Sequence, residues 1–274
     1  MDFEDRRARF RSLHESGTFI IPNPHDVGTC RLLTALGFSA LATTSGGHSA
    51  SLGRMDMTTT RDELIGHVRA LASATPLPLS VDAEQCFAHE PGGVRTTVSL
   101  LADAGAAGFS IEDWDPHARR IDQLDRAAEQ VSIAAAEAAR HGMVLTARAE
   151  NHLRGVHDVD DTIRRLTAYR EAGAHVVYAP ALPDLAAVAR VVAETDAPVN
   201  VLLQPGGPSA DQLALIGVRR LSVGSSLSRI ALGAFVSAAE ALRDTGRLDE
   251  SLPSLDQALA ARAFAVPPEA PAPG

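Results

Sequence analysis

Residues 77–84 read LPLSVDAE, a short apolar run that ends in two acids one residue apart. A run of this length fits a buried strand, and the acids mark the end where that strand leaves the core. Seven further runs of the same kind flank it, at residues 18–22, 40–44, 108–111, 143–147, 175–179, 199–203 and 220–223. Amphipathic, Ala- and Arg-rich stretches separate them, and that alternation marks βα units around a parallel sheet. Eight strands and 274 residues suit a closed (β/α)8 TIM-type barrel, which needs about 250 residues, so residues 1–266 are expected to form one barrel domain.

The intervening segments start and stop like helices. Thr60 precedes RDELIGHVRALAS, and Asp158 to Asp161 precede TIRRLTAYREAG, with Gly173 placed as a stop. A long Ala-rich helix is expected over residues 230–242 and a shorter one over 255–265. The shorter one has no strand to return to, which leaves docking on another subunit or closure of its own barrel. The Pro-rich tail PPEAPAPG, residues 267–274, reads as flexible.

Composition narrows the function classes. The chain is 45% hydrophobic and 22% charged, with a net charge of -9, which argues against a general binder of nucleic acid or anionic membranes because either needs a basic face. Its two cysteines, Cys30 and Cys86, make neither a disulfide framework nor a zinc site, and no apolar run is long enough to span a bilayer. Residues 1–11 are charged and unlike a signal segment, so a cytoplasmic location is expected.

In such barrels the reacting groups come from the carboxyl ends of the strands. The second run ends TTSGGH, where Ser45, Gly46 and Gly47 offer a hydroxyl and close backbone approach to a carboxylate or phosphonate, unless the glycines only make a tight turn. Asp82 and Glu84 point the same way because strand side chains alternate, and Glu112 with Asp113 lies at the same height one strand over. So many acids at one end call for a cation or protons, and oxygen ligands suit Mg2+ or Mn2+; caps and surface ion pairs are the alternative. On the fifth run Arg148 and Glu150 read either as a substrate-carboxylate clamp with its orienting acid or as an internal ion pair. Asn200 is expected to face the same region, and His48 and His89 stand in loops where either could carry a proton.

PNPHDVGTCRLLTALGFSALATTSGG, SLGRMD, LSVDAEQCF, GFSIEDW, LTARAEN and SVGSS, taken in order, resemble the isocitrate lyase and phosphoenolpyruvate mutase superfamily from about Phe10 to Leu242. The resemblance implies a modified barrel whose last helix is often exchanged between subunits, giving dimers or tetramers. It also implies magnesium and an enolate-like intermediate next to a 2-oxo acid. Ser45, Gly46 and Gly47 match the carboxylate-binding segment; Asp56, Asp82, Glu84 and Glu112 match the acids around the metal, with Asp82 nearest the ion; Arg148 matches the substrate-anion arginine.

Two segments depart from that pattern. Where the lyases carry a Lys-Lys-Cys-Gly-His loop, this chain reads WDPHARRI, leaving His117, Arg119 and Arg120 as lid residues or as a plain solvated loop. After the acidic pair come Gln85 and Cys86, the latter a candidate nucleophile or acid beside the metal, or a buried inert thiol. The expected function is a Mg2+-dependent lyase that cleaves or forms a C–C bond of a small 2-oxo or 2-hydroxy acid. Phosphonopyruvate hydrolase or mutase and oxaloacetate decarboxylase activities are alternatives, and a non-catalytic barrel that binds small acids is the competing class.

Overall fold

The computed structural model describes residues 2–248 and 253–265. Its first half runs α1 (Phe3–Ser12), β1 (Phe19–Ile21), α2 (Val27–Ala35), β2 (Leu41–Ala42), α3 (Ser45–Ser51), α4 (Arg61–Ala74), β3 (Leu79–Asp82), α5 (Gly93–Asp103) and β4 (Gly108–Glu112). A small hairpin follows, β5 (Trp114–Asp115) and β6 (Arg120–Ile121), and then α6 (Leu124–His141), β7 (Val144–Arg148), α7 (Val159–Glu171) and β8 (Val176–Tyr178). The chain continues with α8 (Leu185–Thr195), β9 (Val199–Leu202), α9 (Ala210–Leu215), β10 (Arg220–Ser222), α10 (Ser226–Thr245) and α11 (Gln257–Phe264).

All eight expected strands are present, and they pair in parallel in the order β1-β10-β9-β8-β7-β4-β3-β2. Each lies between helices, which is why its sequence is a near-continuous apolar run; every residue of β4 is buried. The two ends of the sheet meet through the backbone, where Ala42 N donates to Pro22 O at 3.0 Å. Asn23 completes the closure: its Nδ2 donates to Thr43 O at 2.7 Å, and its Oδ1 accepts from Val223 N and Gly224 N, both at 2.9 Å. The result is a nearly closed (β/α)8 TIM-type barrel.

The base of the barrel is plugged by α1, whose Phe10 is fully buried. Gly108 makes room for it, because a Cβ there would meet Phe10 Cε1 at 2.7 Å and Val144 O at 2.6 Å. Helix ends follow the signals in the sequence. Thr60 and Glu63 form a capping box on α4, Asp158 caps α7 through Asp161 N at 2.9 Å, and Gly173 follows α7 at φ +106°. Losing the Thr60 cap would cost about 1 kcal/mol.

The two C-terminal helices differ in how they are buried. The short one, α11, docks on α2 of its own chain and buries Ala263. The long one, α10, buries only Ser228 and leaves Ile230, Phe235 and Val236 65%, 71% and 51% exposed. The tail at 267–274 lies outside the described residues. Among the described residues no helix is long and apolar enough to cross a membrane.

Candidate active site

A cavity of about 190 Å³ opens at the carboxyl ends of the strands; Ser45, Asp56, Asp82, Arg148, Asn200 and Arg220 are among its lining residues. At its centre is Arg148, the last residue of β7. Nη1 donates to Asp82 Oδ1 at 2.8 Å and lies 3.2 Å from Glu112 Oε2, while Nη2 donates to Glu150 Oε1 at 2.8 Å. Burial alone would lower its pKa, but the charges of Glu150, Glu112 and Asp82 outweigh burial and hold the guanidinium well above its ordinary value. Cζ stands 5.2 Å from the centre of the Tyr178 ring, a cation–π contact on the next strand.

The acids around Arg148 are not equivalent. Asp82 ends β3, accepts from Ser45 N at 3.1 Å and is reached by Ser110 Oγ at 3.4 Å. Glu84 follows in a left-handed turn, φ +52°, that continues through Cys86 at +55° and Phe87 at +50°. Burial first, then the charges of Asp82 and Asp56, push Glu84 up to about 8, so it holds a proton at neutral pH. Burial, followed by Glu150, likewise holds Glu112 well above the carboxylate range. Asp113 faces the other way. It accepts from Glu150 N at 2.8 Å, Tyr169 Oη at 2.6 Å and Arg165 Nη1 at 3.1 Å, and so locks β4 and β7 to α7.

Three buried carboxylate oxygens in this cluster, Glu84 Oε1, Glu112 Oε1 and Glu150 Oε2, have no hydrogen-bond partner. Such oxygens are costly unless a proton or a cation meets them, so the donor set fits a hard divalent ion. The acids do not close on one point: no group of three or more His, Cys, Asp or Glu side chains stands at metal-holding spacing among the described residues.

The second strand's glycines form a helix start rather than a bare turn. Thr44 caps α3 by accepting from Gly47 N at 3.2 Å, and its hydroxyl shares a 2.7 Å hydrogen bond with Ser225 Oγ. A Cβ on Gly46 would lie 2.8 Å from Ser225 Oγ and 3.2 Å from Asp56 Oδ2, so glycine is needed for the segment to pack against both.

A family model described as phosphoenolpyruvate phosphomutase matches residues 10–243. The chain belongs to this family. A crystal structure from Burkholderia cenocepacia, of a protein assigned only as a lyase or mutase, is 44% identical and superposes with a TM-score of 0.91 over 97% of each chain. An uncharacterized protein of Mycobacterium tuberculosis is 35% identical over 249 residues, covering 89% of this chain and 92% of the relative. The oxaloacetate decarboxylase of Bradyrhizobium diazoefficiens is 32% identical over 208 residues, or 73% of this chain and 71% of that enzyme.

In this phosphoenolpyruvate phosphomutase family member several expected site residues meet and others do not. Ser45, Asp56, Asp82, Arg148 and Asn200 line one cavity, with Glu84, Glu112 and Glu150 buried behind it. His48 lies on the far side of α3, stacked on His67 of α4 at 3.8 Å, and does not line the cavity. His89 lies beside the β5–β6 hairpin, 3.4 Å from Asp115 Oδ1 and edge-on to His117. Neither ring lines the cavity beside Asp82; His89 instead lines a smaller pocket that also touches Glu112 and Arg148. Cys86 is fully buried, and its thiol donates to Ser110 O at 3.8 Å. Burial, then the charges of Glu112, Asp82 and Glu84, push the thiol up, so the inert reading fits and the nucleophile does not. His117, Arg119 and Arg120 are exposed on the hairpin, as a solvated loop would be.

Sequence reasoning missed Tyr178, Ser222, Arg220 and the Asn23 clamp. Period-two alternation on the eighth strand puts Arg220 and Ser222 on the same face, and that signal was available.

Proposed function

We propose that this protein is a Mg2+-dependent lyase that cleaves or forms a C–C bond next to the 2-oxo or 2-hydroxy group of a small acid. The observation that carries this reading is the set of buried carboxylate oxygens without hydrogen-bond partners, Glu84 Oε1 and Glu112 Oε1 among them, packed around Arg148 behind the cavity of a family barrel. Asp82 would hold the ion, with Glu84, Glu112 and Asp56 around it; bound there, magnesium would supply positive charge against the enolate-like charge that bond cleavage leaves. Mn2+ offers the same oxygen-ligand chemistry.

The chain's own residues account for the rest. Arg148 presents its guanidinium to the substrate carboxylate while Glu150, fully buried, fixes its plane through Nε and Nη2. Ser45 lines the cavity at the acid end, Gly46 lets its segment pack against Ser225 and Asp56, and Asn200 lines the cavity from β9. The chain has no lysine among its 274 residues, so no loop can bring up the gating lysine of a mutase. The lyases' Lys-Lys-Cys-Gly-His loop is absent as well, and the likeness to an oxaloacetate decarboxylase keeps decarboxylation of a 2-oxo diacid as the second reading.

The working unit is a cytoplasmic homo-oligomer, dimer or tetramer, in which a second copy covers the exposed Ile230, Phe235 and Val236 of α10. The experiment that tests the function is an assay of pyruvate or glyoxylate release from a panel of 2-hydroxy, 2-oxo and phosphono acids, with Mg2+ and then with chelator. Metal-dependent release from one of them is expected. Silence across the panel with oxalate still binding would replace the lyase by the binding-protein reading.

A further inference from the structure

Glu150 faces a second guanidinium besides that of Arg148, and this one does not line the cavity. Arg154 Nη2 stands 3.7 Å from Glu150 Oε2, too long for a hydrogen bond but within reach of an ion pair. The turn after β7 puts it there. Arg154 N donates to Glu150 O at 2.9 Å, so the two side chains share one face of a single helical turn. Asn151, fully buried, ties that turn to α7 by donating to Thr162 Oγ1 at 2.7 Å, and Gly155 follows at φ +81°. Leu153, from the middle of the turn, lines the cavity.

The same guanidinium is braced by the hairpin. Its Cζ lies 4.1 Å from the centre of the Trp114 ring, closer than Arg148 lies to Tyr178. Trp114 is the chain's single tryptophan; it opens β5 two residues after Glu112 and pairs with Ile121 of β6. Asp115 stiffens the hairpin, accepting from His117 N at 2.9 Å and Ala118 N at 3.0 Å. An arginine on a loop would otherwise sample many rotamers, and stacking on an indole holds its planar fork in one direction.

The effect on the site follows from how Arg148 is held. Asp82 and Glu112 both reach Nη1, which leaves the opposite edge of the guanidinium to Glu150. Both contacts on that edge, Nε at 3.2 Å and Nη2 at 2.8 Å, fall on the same oxygen, Glu150 Oε1. The terminal torsion of a glutamate has no sharp well, so a carboxylate held by one oxygen can swing and carry the arginine's edge with it. A cation at Oε2 removes that freedom.

We propose that Arg154, braced on Trp114, is a positioning residue: it fixes the plane of Glu150 and, through it, the direction in which Arg148 faces a bound acid. The hairpin and the cavity are thereby linked, and an anion that engages Arg148 is felt at Trp114. The inference rests on the reading of Arg148 as the arginine that meets the substrate acid.

The test is a titration of oxalate in the presence of Mg2+, followed by calorimetry and by the emission of Trp114. The wild type is expected to bind oxalate with a change in that emission. Arg154→Met should raise the Kd for oxalate about tenfold and abolish the emission change, while the Kd for Mg2+ measured without oxalate stays within about twofold. Arg154→Lys keeps a cation over the ring and should recover part of the loss. Trp114→Leu removes the brace and should weaken oxalate by a similar factor, with the double variant no weaker than the worse single one, so the test stands even if Arg154→Met folds poorly. Unchanged oxalate binding and emission in Arg154→Met, or oxalate and Mg2+ weakened together in both single variants, overturns the role of Arg154 and leaves the lyase reading intact. No binding of oxalate by the wild type overturns both.

Discussion

The two halves of the cavity wall carry opposite chemistry. From β3 to β7 four carboxylates, Asp82, Glu84, Glu112 and Glu150, crowd one guanidinium. From β8 to β10 the wall is Tyr178, Asn200, Arg220 and Ser222, with no acid. Arg148 and Arg220 occupy the same pairing row, Arg148 at the end of β7 and Arg220 at the start of β10. The difference is the neighbours. Where the protein supplies surplus negative charge the site is ready for a cation, and where it supplies none the site is ready for an anion.

The strongest way to break the acidic half is Asp82→Ala. Titration of Mg2+ and Mn2+ should show metal binding lost and turnover reduced by about 10³-fold or more; equal metal binding by wild type and variant would sink the metal assignment. Next in size is Arg148→Met, which strips the cluster of its cation. Removing one member of a buried charge group costs about 3–5 kcal/mol, so denaturant unfolding should report a loss of that order, partly restored by Mg2+.

Glu84 provides a subtler probe. Its pKa rises from 4.5 to about 8 on folding, so the folded state binds the extra proton between those values. In chelator, stability should therefore fall as pH is raised from about 5 to 8, by an amount on the order of a few kcal/mol. A divalent ion favours the ionised carboxylate and should flatten that slope, and so should Glu84→Gln; a slope unchanged in the Gln variant would assign the effect elsewhere. The smallest effect is expected at Cys86. Cys86→Ala should keep turnover within about threefold and lose ~1 kcal/mol in thermal unfolding from the small void it leaves; a collapse of kcat with the fold intact would return the thiol to the chemistry.

The acidic half was legible in the sequence, and of the cationic half only Asn200 was. LPLSVDAE shows its acids because a run of apolar residues stops abruptly in charge, and Asp82 and Glu84 then share a side by simple alternation. Arg148 and Glu150 stand out for the same reason. Arg220 opens its strand instead of closing it, beside Arg219, and an RR pair looks like solvated surface until β9 and β1 are paired on either side of it. His48 and His89 looked poised because they fall in loops at the active end, but which way a loop side chain turns is decided by partners distant in sequence, here His67 and Asp115. For the C-terminal helices the sequence left two options, and within the single chain α11 packs on α2.

The turn after β3 has a consequence for how such a protein could evolve. Three non-glycine residues within four positions, Glu84, Cys86 and Phe87, sit in left-handed conformations, each costing on the order of 1 kcal/mol or more. A library screened only for survival of heat should therefore accumulate glycine or asparagine in this short segment ahead of most others. The same library screened for turnover should discard those changes. Opposite outcomes of the two screens at these positions would mark the turn as a place where selection has held thermal robustness below what the barrel could reach.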